Sequence, residues 1–129
     1  MLYGVYSMKI QTYKDLFAWQ EGHVLVLQVY KYTKNFPRDE QFGLTSQLKR
    51  AVVSITSNIA EGFSRRTYKE KQQFYLFAKG SLLEVDNQIL IARDVGYVTD
   101  KQYEILTMQI EKVGRLLTGL IKSSELLVH

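Results

Sequence analysis

Apolar side chains recur along most of this chain at alternating steps of three and four residues, the spacing of one face of an α-helix. The first such set is Leu16, Trp19, His23, Val26 or Leu27, and Tyr30. Thr12-x-x-Asp15 supplies a capping-box-like start, and Phe36-Pro37 a stop, because proline disfavours helical geometry in the residue before it. A helix is therefore predicted over about Tyr13–Asn35. The stripe Leu44, Leu48, Ala51/Val52, Ile55, Ile59 and Phe63 predicts a second helix over about Thr45–Ser64, after a loop marked by Asp39 and Gly43. The third opens at the capping box Thr67-x-x-Glu70 and runs through Phe74, Phe77/Ala78, Ser81/Leu82, Val85, Ile89, Ala92 and Val95. Gly96 ends it, supplying the left-handed residue past a helix C-terminus. The fourth starts at Thr99-x-x-Gln102 and repeats Tyr103, Leu106, Ile110, Val113, Leu117 and Leu120, close to the coiled-coil period of about 3.5. Nothing alternates with a period of two for long enough to make a strand. The expected fold is all-α, an up-and-down antiparallel four-helix bundle over residues 12–126, with residues 1–11 as an N-terminal tail.

Two of these helices are apolar beyond one stripe. Leu25, Val29 and Tyr32 lie off the face of Trp19 and Tyr30, and Leu83, Leu90 and Ile91 do the same on the third helix. Either the single core is generous or a second stripe is buried between subunits. The second reading is the sharper, since burying one such side chain contributes roughly 1.5–3 kcal/mol.

Size and composition narrow the compartment and the chemistry. A chain of 129 residues is one domain and can bury a full core without a disulfide. It has no cysteine, which fits a reducing compartment and excludes thiol catalysis and thiolate metal sites. The longest apolar runs fall far short of the ~20 residues of a membrane span. The opening MLYGVYSMKI lacks the features of a signal peptide, so a cytoplasmic protein is expected. Met8 is a candidate natural start, because patterned sequence begins only near Thr12. The net charge of +4 is compatible with nucleic acid without requiring it.

The enzyme that this architecture suggests is a carboxylate-bridged di-iron protein, which needs Glu-x-x-His on two helices. Here Glu61 is followed by Ser64 and Glu84 by Asn87, and the histidines are His23 and the terminal His129. The ligand set is absent. His23, on the apolar face of the first helix, reads as a packed core residue, and no serine–histidine–acid set or phosphate loop is present. No enzymatic activity, cofactor or metal is expected.

Two polar features remain. Ser54, Asn58, Glu61 and Arg65 form a stripe beside the apolar one on the second helix, matched by Glu84 and Gln88 on the third. The stripe is either a solvated face or a partly buried structural network of Asn58, Glu61 and Glu84; the network is preferred, because Ile55, Ile59 and Ala60 flank it. The other feature is a basic corner, Arg65, Arg66, Lys69 and Lys71, interleaved with Tyr68 and Tyr75, with Lys49-Arg50 roughly four turns back. Such clusters are commonly solvated helix ends. They also have the composition that contacts phosphates and stacks on bases, and in a ring of several copies a modest charge becomes a substantial field.

TYKDLFAWQEGH (12–23), NFPRDEQFGLTSQLKRAVVSITSNIAEGFSRR (35–66), FAKGSLLEVDNQILIARDVGY (77–97) and VGRLLTGLIKS (113–123) resemble the bacterial 23S rRNA-intervening-sequence proteins. The likeness covers about residues 8–124 and is most specific in LTSQLKRAVVSITSNIAEG and the GSLLE run. It implies a left-handed up-and-down four-helix bundle, a ring-forming homo-oligomer, commonly a pentamer, and no attached enzymatic activity. A related branch, the accessory proteins of diversity-generating retroelements, binds nucleic acid and a reverse transcriptase through a basic surface. The motif positions carried over are Asn58, Glu61, Gly62, Arg66, Gly80 and Glu84. Thr56 stands where the family pattern has a proline, which implies a straighter second helix, and the residues before Met8 are an unusual extension.

The expectation is a non-catalytic homo-oligomer that binds RNA or DNA through Lys49, Arg50, Arg65, Arg66, Lys69 and Lys71. The competing expectation is a scaffold that docks a partner protein, such as a reverse transcriptase, without touching nucleic acid.

Overall fold

The computed structural model describes residues 9–126. Of the tail expected at residues 1–11, residues 1–8, Met8 included, lie outside them, as does the terminal His129, while Lys9–Gln11 have no regular secondary structure. Four helices follow: α1 (Phe17–Thr33), α2 (Leu44–Ser64), α3 (Tyr68–Asp94) and α4 (Asp100–Leu126). Short 3₁₀ turns at Tyr13–Asp15 and Arg38–Glu40 complete the regular structure among the described residues. Each helix packs against two neighbours, α1 on α2 and α4, and α3 on α2 and α4, while the diagonal pairs stay apart. Short connections with that adjacency make an all-α, up-and-down four-helix bundle.

The punctuation in the sequence sets most helix ends. Thr99 and Gln102 exchange backbone N–H to side-chain oxygen bonds of 3.0 and 3.1 Å, closing a capping box at the head of α4. Thr67 accepts from the Glu70 N–H at 3.1 Å at the head of α3. Gly96, with φ +85°, carries the left-handed turn between α3 and α4. The first helix departs from its expected start. The Thr12–Asp15 box closes a 3₁₀ turn, and extended Leu16 (φ −76°, ψ 129°) delays α1 to Phe17.

The face of α1 also differs from the expected one. Ala18, Gly22, Leu25, Val29 and Thr33 are buried, and Leu16, Trp19, Val26 and Tyr32 are packed only partly against the core. Leu27, 57% exposed, and Tyr30 face outward. His23 is exposed too, stacked on Trp19 at 4.9 Å with an interplanar angle of 11°, and is no core residue. The two stripes lie one residue, about 100°, apart on the helix. Small Ala18 and Gly22 let the α1 backbone approach its neighbours, a closeness that the Trp19 face does not allow. The expected stripes of the other helices supply the rest of the core: Leu48, Val52, Ile55 and Ile59 of α2, Ala78, Val85 and Ile89 of α3, and Leu106, Val113 and Leu117 of α4. On α3, Leu83 at 69%, Leu90 and Ile91 are exposed, as are Leu76 and Phe77.

Candidate nucleic-acid interface

The basic corner is built by a close helix crossing. A Cβ on Gly62 would lie 2.7 Å from Tyr75 Cε1 and 3.0 Å from Phe74 Cβ, so α2 can end against α3 only because that Cβ is missing. Arg65 leaves α2 in extended geometry (φ −74°, ψ 153°), and Thr67 starts α3 two residues later. Lys71, one turn in, turns back to α2: its Nζ donates to the Phe63 carbonyl at 2.6 Å and lies 5.2 Å above the Phe63 ring. Burial pushes the Lys71 ammonium below the usual lysine range. Arg65 donates to Glu61 Oε2 at 2.8 Å, its guanidinium lies 4.5 Å over the Phe74 ring, and its buried Nε has no partner.

The remaining corner cations are differently placed. Arg66 and Lys69 are exposed and form no ion pair among the described residues. Tyr68 between them is exposed at the surface, whereas Tyr75 is 2% exposed and its hydroxyl is pushed up to about 12 by burial. Tyr75 is therefore a core residue that cannot stack on a base.

Lys49 and Arg50 lie on the same helix, about 22 Å from Arg65 by the helical rise. Lys49 Nζ sits 4.8 Å above the Tyr30 ring. Both cations border a shallow groove of 770 Å³ at the head of α2, which Tyr30 and Phe42 also line. The six expected contacts thus fall into two patches rather than one. Phe42 is not legible as a candidate in the sequence; its one signal there is an isolated aromatic beside Gly43 in a loop.

Between α2 and α3, Asn58 Nδ2 donates to the Ser54 carbonyl at 2.9 Å and to Ser54 Oγ at 3.1 Å. Ser54 Oγ shares a 2.9 Å hydrogen bond with Ser81 Oγ across the two helices. Gln88, 6% exposed, donates to Gln47 Oε1 at 3.4 Å and leaves its own Oε1 unpartnered. Glu61 is exposed and held by Arg65, and Glu84 is exposed on the wall of a 250 Å³ groove with Gln47 and Arg50. The structure thus joins Asn58 to Ser54, and Ser54 in turn to Ser81, and keeps both glutamates at the surface, where solvation removes the need for a buried partner.

Residues 14–119 match the family described as 23S rRNA-intervening sequence proteins. The chain belongs to that family. A solved structure from Bacteroides thetaiotaomicron, described as a protein with unknown function from the S23 ribosomal protein family, superposes on this 23S rRNA-intervening sequence protein with a TM-score of 0.75. The two share 19% identity over 81% of this chain and 95% of the other, a likeness that establishes the fold. No curated protein matches the chain. Among the described residues of this family member, no three His, Cys, Asp or Glu side chains cluster to hold a metal ion, and no helix is long and apolar enough to cross a membrane.

Proposed function

We propose that this 23S rRNA-intervening sequence protein is a non-catalytic, homo-oligomeric bundle that binds RNA or DNA through a basic surface. The observation that carries the reading is the pair of exposed cations, Arg66 and Lys69, flanking exposed Tyr68 on a chain of net charge +4. Neither cation is neutralised by a carboxylate among the described residues, so both are available to phosphate oxygens. Copies in a ring, five by the family resemblance, repeat the corner and strengthen its field. The exposed apolar side chains of α3, Leu76, Phe77 and Leu83, favour association. The absence of cysteine agrees with a cytoplasmic setting.

The test is a salt-titrated binding assay on structured RNA. Each lost phosphate contact flattens the log–log salt slope by about 0.9 on a duplex. Arg66→Ala with Lys69→Ala is expected to weaken binding and flatten the slope by nearly two such steps, and an unchanged affinity and slope would refute the reading.

A second reading, a scaffold for a partner protein such as a reverse transcriptase, draws on the 440 Å³ groove lined by Leu76, Leu82, Leu83 and Ile110 between α3 and α4. Retention of the partner after nuclease treatment in a pull-down favours the scaffold. Its loss favours nucleic acid.

A further inference from the structure

Phe42 is 91% exposed, the most exposed large hydrophobic side chain among the described residues. Its turn is nevertheless tightly held. The Glu40 carboxylate accepts from the Leu44 N–H at 3.0 Å with one oxygen and from the Tyr97 hydroxyl at 2.8 Å with the other. The Gly43 N–H donates to the Glu40 carbonyl at 2.9 Å, and Tyr97 also packs against buried Phe36, ring centroids 5.3 Å apart. A clamp reaching from the α3–α4 turn thus fixes the loop that displays this ring. With the backbone of the turn fixed, only the Phe42 side-chain torsions remain to be ordered when a flat ligand stacks on the ring, which keeps the entropic cost of binding small.

The surroundings of Phe42 have a consistent chemistry. The groove behind it carries Lys49 and Arg50, the hydroxyls of Ser46 and Ser57, and no aspartate or glutamate in its lining. Lys49 is positioned by the Tyr30 ring beneath it. Aromatic face, two cations and hydroxyl donors, with no carboxylate in the groove lining, match one nucleotide unit with its flanking phosphate. A duplex keeps its bases stacked on one another and offers no free face to Phe42, whereas a single strand does.

We infer that the head of α2 is a single-strand subsite, in which Phe42 stacks on an unpaired base while Lys49 and Arg50 take the adjoining phosphates. This rests on the nucleic-acid reading above and adds its substrate class: unpaired segments of RNA or DNA. The Arg66–Lys69 corner, about 22 Å or more away along α2, is a separate patch whose two cations reach phosphates of paired and unpaired strands alike.

The experiment measures fluorescence anisotropy of the full chain with labelled oligodeoxythymidylate and with a labelled DNA duplex, each across a salt series. Phe42→Ala is expected to weaken oligodeoxythymidylate binding roughly 5- to 100-fold with an unchanged salt slope, because the ring carries no charge. Duplex affinity stays at the wild-type value, and Phe42→Trp keeps single-strand binding. Lys49→Ala lowers the single-strand salt slope by about 0.7. Phe42 lies outside the core, so a thermal midpoint within error of wild type accompanies its replacement. Unchanged single-strand affinity in Phe42→Ala overturns the subsite, as does an equal loss on both probes. A fall in solution mass with affinity unchanged also overturns it and places a second copy on Phe42. In each of these cases the basic-surface reading stands so long as Arg66→Ala with Lys69→Ala flattens the duplex slope. A wild-type protein that binds neither probe at low salt refutes both.

Discussion

Lys71 Nζ lies 2.6 Å from the main-chain carbonyl oxygen of Phe63, so a cation from the first turn of α3 closes the C-terminus of α2. The same residue lies in the basic cluster of the sequence, among side chains that look interchangeable. It is not interchangeable with Arg66, which has no such bond.

Replacing Lys71 with Met is expected to lower stability by about 1 kcal/mol, the typical value of a partly exposed charge-assisted hydrogen bond, read as a shift in denaturant midpoint. Arg66→Ala should move that midpoint by less than about 0.5 kcal/mol. In nucleic-acid binding the order reverses, with Arg66→Ala flattening the salt slope and Lys71→Met leaving it. A slope loss in Lys71→Met as large as that in Arg66→Ala would contradict the assignment.

Gly62 and Gly119 predict opposite signs for the same change. Gly62→Ala puts a methyl group against the buried Tyr75 ring, which has no room to move, and the overpacking costs about 1–3 kcal/mol. A methyl group added at Gly119, inside α4, would meet nothing within 4 Å, so Gly119→Ala gains about 0.5–1 kcal/mol from helix propensity. Thermal melts of the two variants should therefore shift in opposite directions.

The rotation of α1 is testable with two leucines. Leu25 is fully buried and Leu27 is 57% exposed. Leu25→Ala should cost about 2–5 kcal/mol and Leu27→Ala less than about 0.5 kcal/mol. Equal losses, or the reverse order, would mean that the Trp19 face is the buried one.

The Glu40–Tyr97 bond should appear at both ends of the pH–stability curve. The Leu44 N–H and then the Tyr97 hydroxyl hold the Glu40 carboxyl below its ordinary value of 4.5. Its contribution is full above that value and is lost as pH falls through the lowered folded value. The hydrogen bond to Glu40 raises the Tyr97 hydroxyl above 10.0, so that contribution is full below 10.0 and lost as pH rises through the raised value. Tyr97→Phe should shrink the alkaline loss of thermal stability, leaving the part due to Tyr75, and weaken the acid limb. An alkaline limb identical to that of the wild type would count against the bond.

Association through α3 predicts a solution mass that is a multiple of 15.0 kDa, measured by light scattering. Leu83→Asp should return it to 15.0 kDa with little change in the intrachain core, because Leu83 is 69% exposed. A Leu83→Asp variant that keeps the wild-type multiple would move the interface elsewhere.

Much of the architecture is written locally. The Thr67–Glu70 and Thr99–Gln102 pairs and Gly96 mark helix ends because capping acts within three or four residues, and α2 and α4 have a single apolar stripe that admits one orientation. The stripe of α1 is ambiguous because both of its candidate faces are apolar. The side that carries Ala18 and Gly22 is the one that lets backbones come close, and no periodicity measures that closeness. The basic residues are legible as a cluster, but not their division into engaged Arg65 and Lys71 and exposed Arg66 and Lys69. Phe42 escapes notice because a lone aromatic in a loop has no pattern.

By itself, then, the chain order determined four helices, most of their ends and the all-α class, since hydrogen-bond capping and helical periodicity are short-range. Tertiary structure alone decided which face of α1 is inside, which cations remain free and which aromatic ring stands in water. Those properties depend on contacts between residues far apart in sequence, such as Tyr97 with Glu40, Ser81 with Ser54 and Tyr75 with Gly62, whose distances are set only when the helices pack.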